Sequence, residues 1–199
     1  MKQVFYIAVE GIDGAGKTTQ AKIIAEKLRR RGMRVMLVHE PTDGKIGRLI
    51  KDALTGRVKM SEEVLALLFA ADRLVLREKI MAAKDRGLFV VSDRSVVSSL
   101  AYQSVAVGRS RWVYEVNRFA AKPDIVVYLS ISPETAVKRL GKNLQRYERK
   151  TFLTRVGRAY RRVLRKFPRV VVVDGEKPVE TVSQQIFEGL AQFIPSLRK

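Results

Sequence analysis

Residues 10–20 read EGIDGAGKTTQ, and within them Gly11, Gly16, Lys17 and Thr18 fill the pattern glycine, four free positions, Gly-Lys-Ser/Thr. Glycines at these points let successive backbone N–H groups turn inward and form a nest for anions at the positive end of the following helix. The spacing therefore predicts a nucleoside triphosphate cradled by Gly11, Ile12, Asp13, Gly14, Ala15, Gly16, Lys17 and Thr18. Lys17 would reach the β- and γ-phosphates, and the Thr18 hydroxyl would ligate Mg2+. The context agrees: an apolar run, VFYIAV, precedes the loop, and a helix-period segment, AKIIAEKLRRRG, follows it. Such a loop does not name a reaction, since switches, motors and small-molecule kinases share it. A GTP switch would carry an Asn-Lys-x-Asp type of base-reading motif on a late strand, and nothing of that kind follows VVYLSI.

Two further groups of side chains have types suited to a second nucleotide. Asp93 and Arg94 close the run LFVVS, which places them at the carboxyl end of a predicted strand, where open parallel sheets bind ligands. Asp93 can hold Mg2+ through water or orient an acceptor, and Arg94 can grip a phosphate with two parallel hydrogen bonds. Just beyond, Ser99, Tyr102 and Gln103 fall at i, i+3 and i+4, so on a helix they share a face that offers a hydroxyl, a ring and an amide. Phe69 and Arg73 lie four apart in EEVLALLFAADRLVL. They would be adjacent on a helix whose Val64, Leu67, Leu68 and Ala71 are expected to meet the sheet. An aromatic ring stacks on a base and a guanidinium donates to a base carbonyl. The plainer readings are an Asp-Arg pair closing a strand and a core phenylalanine beside a surface arginine.

Elements able to position these groups follow from the hydrophobic pattern. Short apolar runs near VFYIAV, RVMLVH, LFVVS, DIVVYLSI and RVVVVD alternate with helix-period segments, which predicts a five-stranded parallel sheet with helices on both faces. Ala21, Ile24, Ala25 and Leu28 mark the core face of the first helix. Ser61 with Glu62 and Glu63, and Ser132 with Pro133, read as helix starts; Gly32 and Gly87 read as helix ends. At 199 residues the chain suits a single domain, 1–199. Within it, LGKNLQRYERKT (140–151) carries polar and basic residues without an apolar period and reads as a flap.

Composition removes several classes. There is no cysteine, hence no disulfide, thiolate metal site or cysteine nucleophile, and a single histidine, His39, leaves no histidine-built metal site. His39 is read as a packed or rim residue and Trp112 and Tyr114 as core. No apolar run approaches the roughly 18–20 residues that span a bilayer, and no secretory signal pattern opens the chain, so a soluble cytoplasmic protein is expected. The net charge is +19, and residues 138–169 hold thirteen Lys or Arg against one acid, Glu148. That excess suits a solvated basic face, phosphate handling or nucleic-acid contact, the last disfavoured by the lack of interleaved aromatics.

In order and spacing, EGIDGAGKTTQ, HEPTDGKIGRLI, LLFAADR, DRSVVSSLAYQ, KPDIVVYLSISPETAVKR and RYE resemble the thymidylate kinase family of P-loop nucleoside monophosphate kinases over nearly the whole chain. The resemblance implies transfer of the γ-phosphate of ATP to dTMP, Mg2+ as cofactor, a homodimer, and a lid at 139–150. It implies that Asp13 lies near the acceptor's 3′-hydroxyl, that Phe69 stacks on thymine and Arg73 donates to its carbonyl, that Gln103 reads the base edge and that Tyr102 crowds the 2′ position. Arg94 would bind the dTMP phosphate beside Asp93 and Mg2+, and Arg139 would pack on adenine. Lys17, Asp93, Arg94 and a lid cation would form the catalytic set.

Three departures stand out. His39-Glu40-Pro41 replaces the common Arg-Glu-Pro and Asp93-Arg94-Ser95 the common Asp-Arg-Tyr, which points to an acceptor pocket wider or differently charged than usual. Gly14 stands where some members place a transition-state arginine, which assigns that cation to the lid: Lys142, Arg146 or Arg149, with Arg146 first choice. The competing expectations are a kinase for another monophosphate, a non-catalytic relative, and a nucleic-acid-binding P-loop protein.

Overall fold

Runs rich in valine and isoleucine, too short for helices and bounded by turn residues, become strands. In the computed structural model, which describes residues 4–141 and 145–198, all five expected runs do so: β1 Tyr6–Glu10, β2 Val35–His39, β3 Phe89–Asp93, β4 Ile125–Ser130 and β5 Val170–Asp174. The sheet is parallel throughout, in the order β2-β3-β1-β4-β5. The central strand β1 is buried at every position, as a strand covered on both faces must be. Its register sets Val9 against Asp93 and Glu10 against Tyr128. The carboxyl ends of β1, β3 and β4 therefore form one edge.

Among the described residues eight α-helices cover the sheet: α1 Lys17–Arg30, α2 Lys45–Leu54, α3 Glu62–Asp85, α4 Val96–Val107, α5 Ser110–Val116, α6 Pro133–Leu140, α7 Lys150–Leu164 and α8 Val179–Ala191, followed by a 3-10 turn Pro195–Leu197. Alternation along the strands splits the core. Ile7, Val9, Val91, Val127 and Leu129 pack with Ala21, Ile24, Ala25 and Leu28 of α1 and Val182, Ile186 and Leu190 of α8. On the other face Val126 and Tyr128 pack with α4 and α7, and Tyr6 and Val90 with α3. The expected caps form: the Ser61 and Ser132 side chains accept from the Val64 and Thr135 backbone N–H groups, and Gly32 and Gly87 take left-handed conformations.

The expected face of α3 is corrected. Val64 and Leu67 are 46% and 48% exposed and Leu68 and Ala71 only partly buried, whereas Leu65, Ala66, Asp72, Arg73, Leu76 and Ile80 turn inward. Helix α3 is apolar on two sides, and the side bearing Phe69 and Arg73 is the one that meets the protein. Trp112 and Tyr114 pack partly buried against the α4–α7 core, as expected. Much of the basic segment becomes the solvent face of α7, where Arg155, Arg158, Arg161 and Arg162 are exposed, and Arg165 and Lys166 are exposed just after it. No helix among the described residues is long and apolar enough to cross a membrane.

Candidate active site

The phosphate loop leaves β1 at Glu10 and enters α1 at Lys17. Gly11 cannot be replaced: a Cβ there would lie 2.7 Å from the Leu129 carbonyl oxygen. Gly16, the N-cap of α1, adopts φ 88°, a left-handed conformation that glycine tolerates best. Lys17 is buried and donates to the Ile12 carbonyl at 2.9 Å, so the ammonium folds back across the loop. Burial pulls its pKa down to about 8, helped by the charge of Arg94 and opposed by Asp13 and Asp93.

Asp13, Arg94 and Tyr102 tie the loop to the end of β3 and to α4. Arg94 donates to the Asp13 carboxylate and, at 3.1 Å, to Ser98; its guanidinium lies 5.1 Å from the centre of the Tyr102 ring. The Tyr102 hydroxyl accepts from the Asp13 backbone N–H and donates to its carboxylate, each at 2.9 Å. Burial pushes the Asp13 carboxyl upward, but the charges of Arg94 and Lys17 outweigh it and hold it below the usual range. Arg94 has φ 72°, a left-handed backbone that costs a non-glycine residue on the order of 1–3 kcal/mol and recurs at functional sites.

Thr18 donates its hydroxyl to Asp93 Oδ2, while Asp93 Oδ1 is buried with no hydrogen-bond partner. A hydroxyl and an orphaned carboxylate oxygen at the mouth of a phosphate nest are hard oxygen donors. They fit Mg2+, which takes few protein ligands and completes its shell with water and phosphate. No group of three or more His, Cys, Asp or Glu able to hold a metal occurs among the described residues.

A pocket beside the loop collects the second set. Phe69, Arg73, Arg94, Ser99, Tyr102 and Gln103 all line it, together with Asp13. Arg73 is buried and strongly held: Nε donates to Glu40 at 2.9 Å, Nη2 to Glu40 and to Ser99 at 3.0 Å, and Nη1 to Asn117. Four of its five N–H groups are thereby used, leaving one on Nη1 for a ligand. Sequence reasoning missed Glu40 and Asn117 as partners of Arg73. It also missed Asp72, which accepts from the Thr42 backbone N–H and hydroxyl at 2.8 and 2.6 Å and fixes the loop after Glu40.

Neither His39 nor Ser95, the two departures beside the acceptor site, is among the residues that line this pocket. Ser95 is the buried N-cap of α4 and donates to Glu10 Oε1 at 2.7 Å. Glu10, fully buried, also accepts from Ser98 and Tyr160; burial pushes its carboxyl up despite these hydroxyl donors. His39 sits at the rim, its ring nitrogens 2.8 Å from the Pro41 carbonyl and 2.9 Å from Asp43, and lines the adjoining cleft.

On the far side of the loop, Arg139 donates to the Gly14 and Gly175 carbonyls at 3.3 and 3.0 Å, which seats it beside the triphosphate nest. Gly14 itself faces α6: a Cβ would meet the Ala136 carbonyl oxygen at 2.8 Å. Arg146, the first choice for the lid cation, is bonded away from the phosphate loop in this structure. Its guanidinium donates to Glu62 and to the Met60 carbonyl, at the start of α3, and is not directed at the loop. Lys142 lies outside the described residues, and Arg149 is exposed at the N-cap of α7. Tyr147, between them, enters the pocket; burial and the adjacent Glu62 push its hydroxyl pKa upward, so it remains a donor.

Comparisons with known proteins identify the family. The family model for thymidylate kinase matches residues 9–186. A probable thymidylate kinase of Methanocaldococcus jannaschii is 38% identical over 96% of this chain and 97% of its own, and one of Methanosphaera stadtmanae is 35% identical over 95% and 98%. A solved thymidylate kinase from Candida albicans superposes with TM-score 0.86 at 26% identity, over 98% of this chain and 94% of that one. On the strength of a match that runs from β1 into α8, this chain belongs to the thymidylate kinase family.

Proposed function

We infer that the protein transfers the γ-phosphate of ATP to dTMP, giving dTDP and ADP, within one kinase domain spanning 1–199 whose lid is 139–150. The observation that carries the reading is the Asp13–Arg94 pair, which holds the triphosphate nest against a pocket lined by Phe69, Arg73, Tyr102 and Gln103. Phosphoryl transfer asks a protein mainly for positioning and charge neutralisation, and the acceptor's phosphate oxygen is already a nucleophile. No general base is required. Gly11 to Thr18 hold the ATP phosphates, Arg139 packs on adenine, Arg94 grips the dTMP phosphate beside Asp93, and Lys17 spreads the charge of the transferring group. Mg2+, held by Thr18 and Asp93, would neutralise the β- and γ-oxygens. Phe69 stacks on thymine, Arg73 and Gln103 bond its polar edge, Ser99 orients Arg73, and Asp13 with Tyr102 faces the sugar.

Because Arg146 is engaged by Glu62, the cation that meets the transferring phosphoryl is Arg149 or Lys142. The activity test is a panel of nucleoside monophosphates with ATP and Mg2+, followed by ADP release. dTMP is the expected best acceptor, and preference for a purine monophosphate overturns the assignment.

The protein acts as a cytoplasmic homodimer. The exposed side of α3 supports this: Val64, Leu67, Ala71, Leu74, Glu78 and Met81 recur at alternating steps of three and four, the spacing of a helix–helix seam. Sedimentation of Leu67→Asp checks it; a dimer that survives places the interface elsewhere.

A further inference from the structure

Glu62 is the first residue of α3 and lies outside every motif that identified the site. Its two oxygens are divided between consecutive lid residues. Oε1 accepts from Arg146 Nε at 3.0 Å and Nη2 at 2.8 Å, and Oε2 accepts from the Tyr147 hydroxyl. The lid turn gains two backbone anchors nearby, Arg146 Nη2 to the Met60 carbonyl at 3.1 Å and the Arg146 backbone N–H to the Leu54 carbonyl at 3.4 Å. These anchors belong to the end of α2 and the approach to α3, the two sides of the acceptor pocket.

The consequence falls on Tyr147. Its ring is buried, stacked on Phe152 with centroids 4.9 Å apart and tilted 10°, and 6.1 Å from the Tyr102 ring. With Gln145 and Glu148 it forms the lid side of the pocket. Phe69 lies seven residues and Arg73 eleven residues after Glu62, so all three share one face of the same rigid helix. Helix α3 thereby fixes the base-contacting side chains and the lid wall opposite them in a single frame.

We propose that Glu62 is a positioning residue for the acceptor site, holding Arg146 and Tyr147 so that Tyr147 forms one wall of the dTMP pocket. This rests on the reading of the pocket as the dTMP site. The bonded turn, 145–148, thereby serves the acceptor side of the site.

The test is steady-state kinetics of full-length Glu62→Ala, Glu62→Gln, Arg146→Ala, Tyr147→Phe and the Glu62→Ala/Arg146→Ala double variant, with dTMP and ATP varied in turn and folding checked by thermal melting. Glu62→Ala is expected to raise KM for dTMP about tenfold while KM for ATP changes by less than about twofold, the loss of charge-assisted contacts confined to one substrate. Glu62→Gln, which keeps an acceptor for Tyr147, should recover part of that loss, and the double variant should be no worse than Glu62→Ala alone, because both remove the same pair. Equal effects on both substrates, additivity in the double variant, or a lowered melting temperature with unchanged KM values would overturn the proposal. If the wild-type protein fails to phosphorylate dTMP at all, the reading of the site fails first; normal wild-type activity with insensitive variants removes only the role of Glu62.

Discussion

A β-carbon on Gly14 would stand 2.8 Å from the carbonyl oxygen of Ala136, so the phosphate loop and helix α6 meet where no side chain fits. Gly14 also takes φ +80°. The loop is therefore closed to the arginine that some relatives place there, and the charge it would supply has to come from elsewhere. Replacing Gly14 by Ala or Arg should cost more than about 1 kcal/mol through backbone strain, with the clash added to it, and should lower activity more than tenfold, roughly. Calorimetry and ATP-dependent turnover check both parts.

On the proposed mechanism the cation that meets the transferring phosphoryl comes from the lid. Arg149→Ala or Lys142→Ala should lower kcat at least about tenfold, since an arginine at the transferring phosphoryl is worth on the order of a thousandfold or more. Arg146→Ala should instead appear in KM for dTMP. A large kcat loss in Arg146→Ala, with the other two near wild type, would reverse this assignment.

The ion pair between Asp13 and Arg94 links the phosphate loop to the residue that follows β3. Asp13→Asn removes one charge but keeps an acceptor for Tyr102. It frees Arg94 from its carboxylate and should perturb KM for dTMP more than KM for ATP. Arg94→Lys, unable to form the forked contact, should raise KM for dTMP about tenfold or more. Separate substrate titrations read each effect.

Lys17 gives the pH dependence. Burial first, then the charge of Arg94, lowers its pKa to about 8, so the cation is present below that pH and lost above it. kcat/KM for ATP, which reports the free enzyme, should fall as pH rises through about 8, whereas kcat at saturating ATP should hold to higher pH because bound phosphates keep the lysine charged. The linked stability has the opposite sign. The unfolded chain keeps this proton up to the ordinary lysine value of 10.5, so this group's contribution to stability rises with pH between about 8 and 10.5.

Base choice follows the cost of each contact. Packing against the thymine methyl discriminates by only about 1–3 kcal/mol, so dUMP should be used about 10- to 200-fold less well than dTMP. Asn117→Ala, which releases the Nη1 side of Arg73, should raise KM for dTMP and dUMP alike, since both present the same carbonyl edge.

Much of this was legible in the sequence because it is local. Five apolar runs, a glycine-spaced loop and helix-period pairs such as Phe69/Arg73 or Ser99/Gln103 carry their geometry in their spacing. The face of α3 was not, because Val64, Leu67 and Ala71 recur with the same period as the buried Leu65, Asp72 and Leu76, and periodicity cannot choose between two apolar sides. Nor were Glu62, Asn117 and Ser95. Each owes its place to a partner many residues away: Arg146, Arg73 and Glu10 respectively. Composition and spacing carry no trace of such pairings. The bonding of Arg146 is hidden for the same reason: its charge suggests the phosphates, and its partner here is a carboxylate on another helix.

The central claim is tested most directly by initial rates of ADP formation with ATP and Mg2+ against dTMP, dUMP, CMP, AMP and GMP. The account predicts the highest kcat/KM for dTMP, a reduced but measurable rate for dUMP, and little with either purine. Turnover of AMP or GMP at a rate matching dTMP would contradict it.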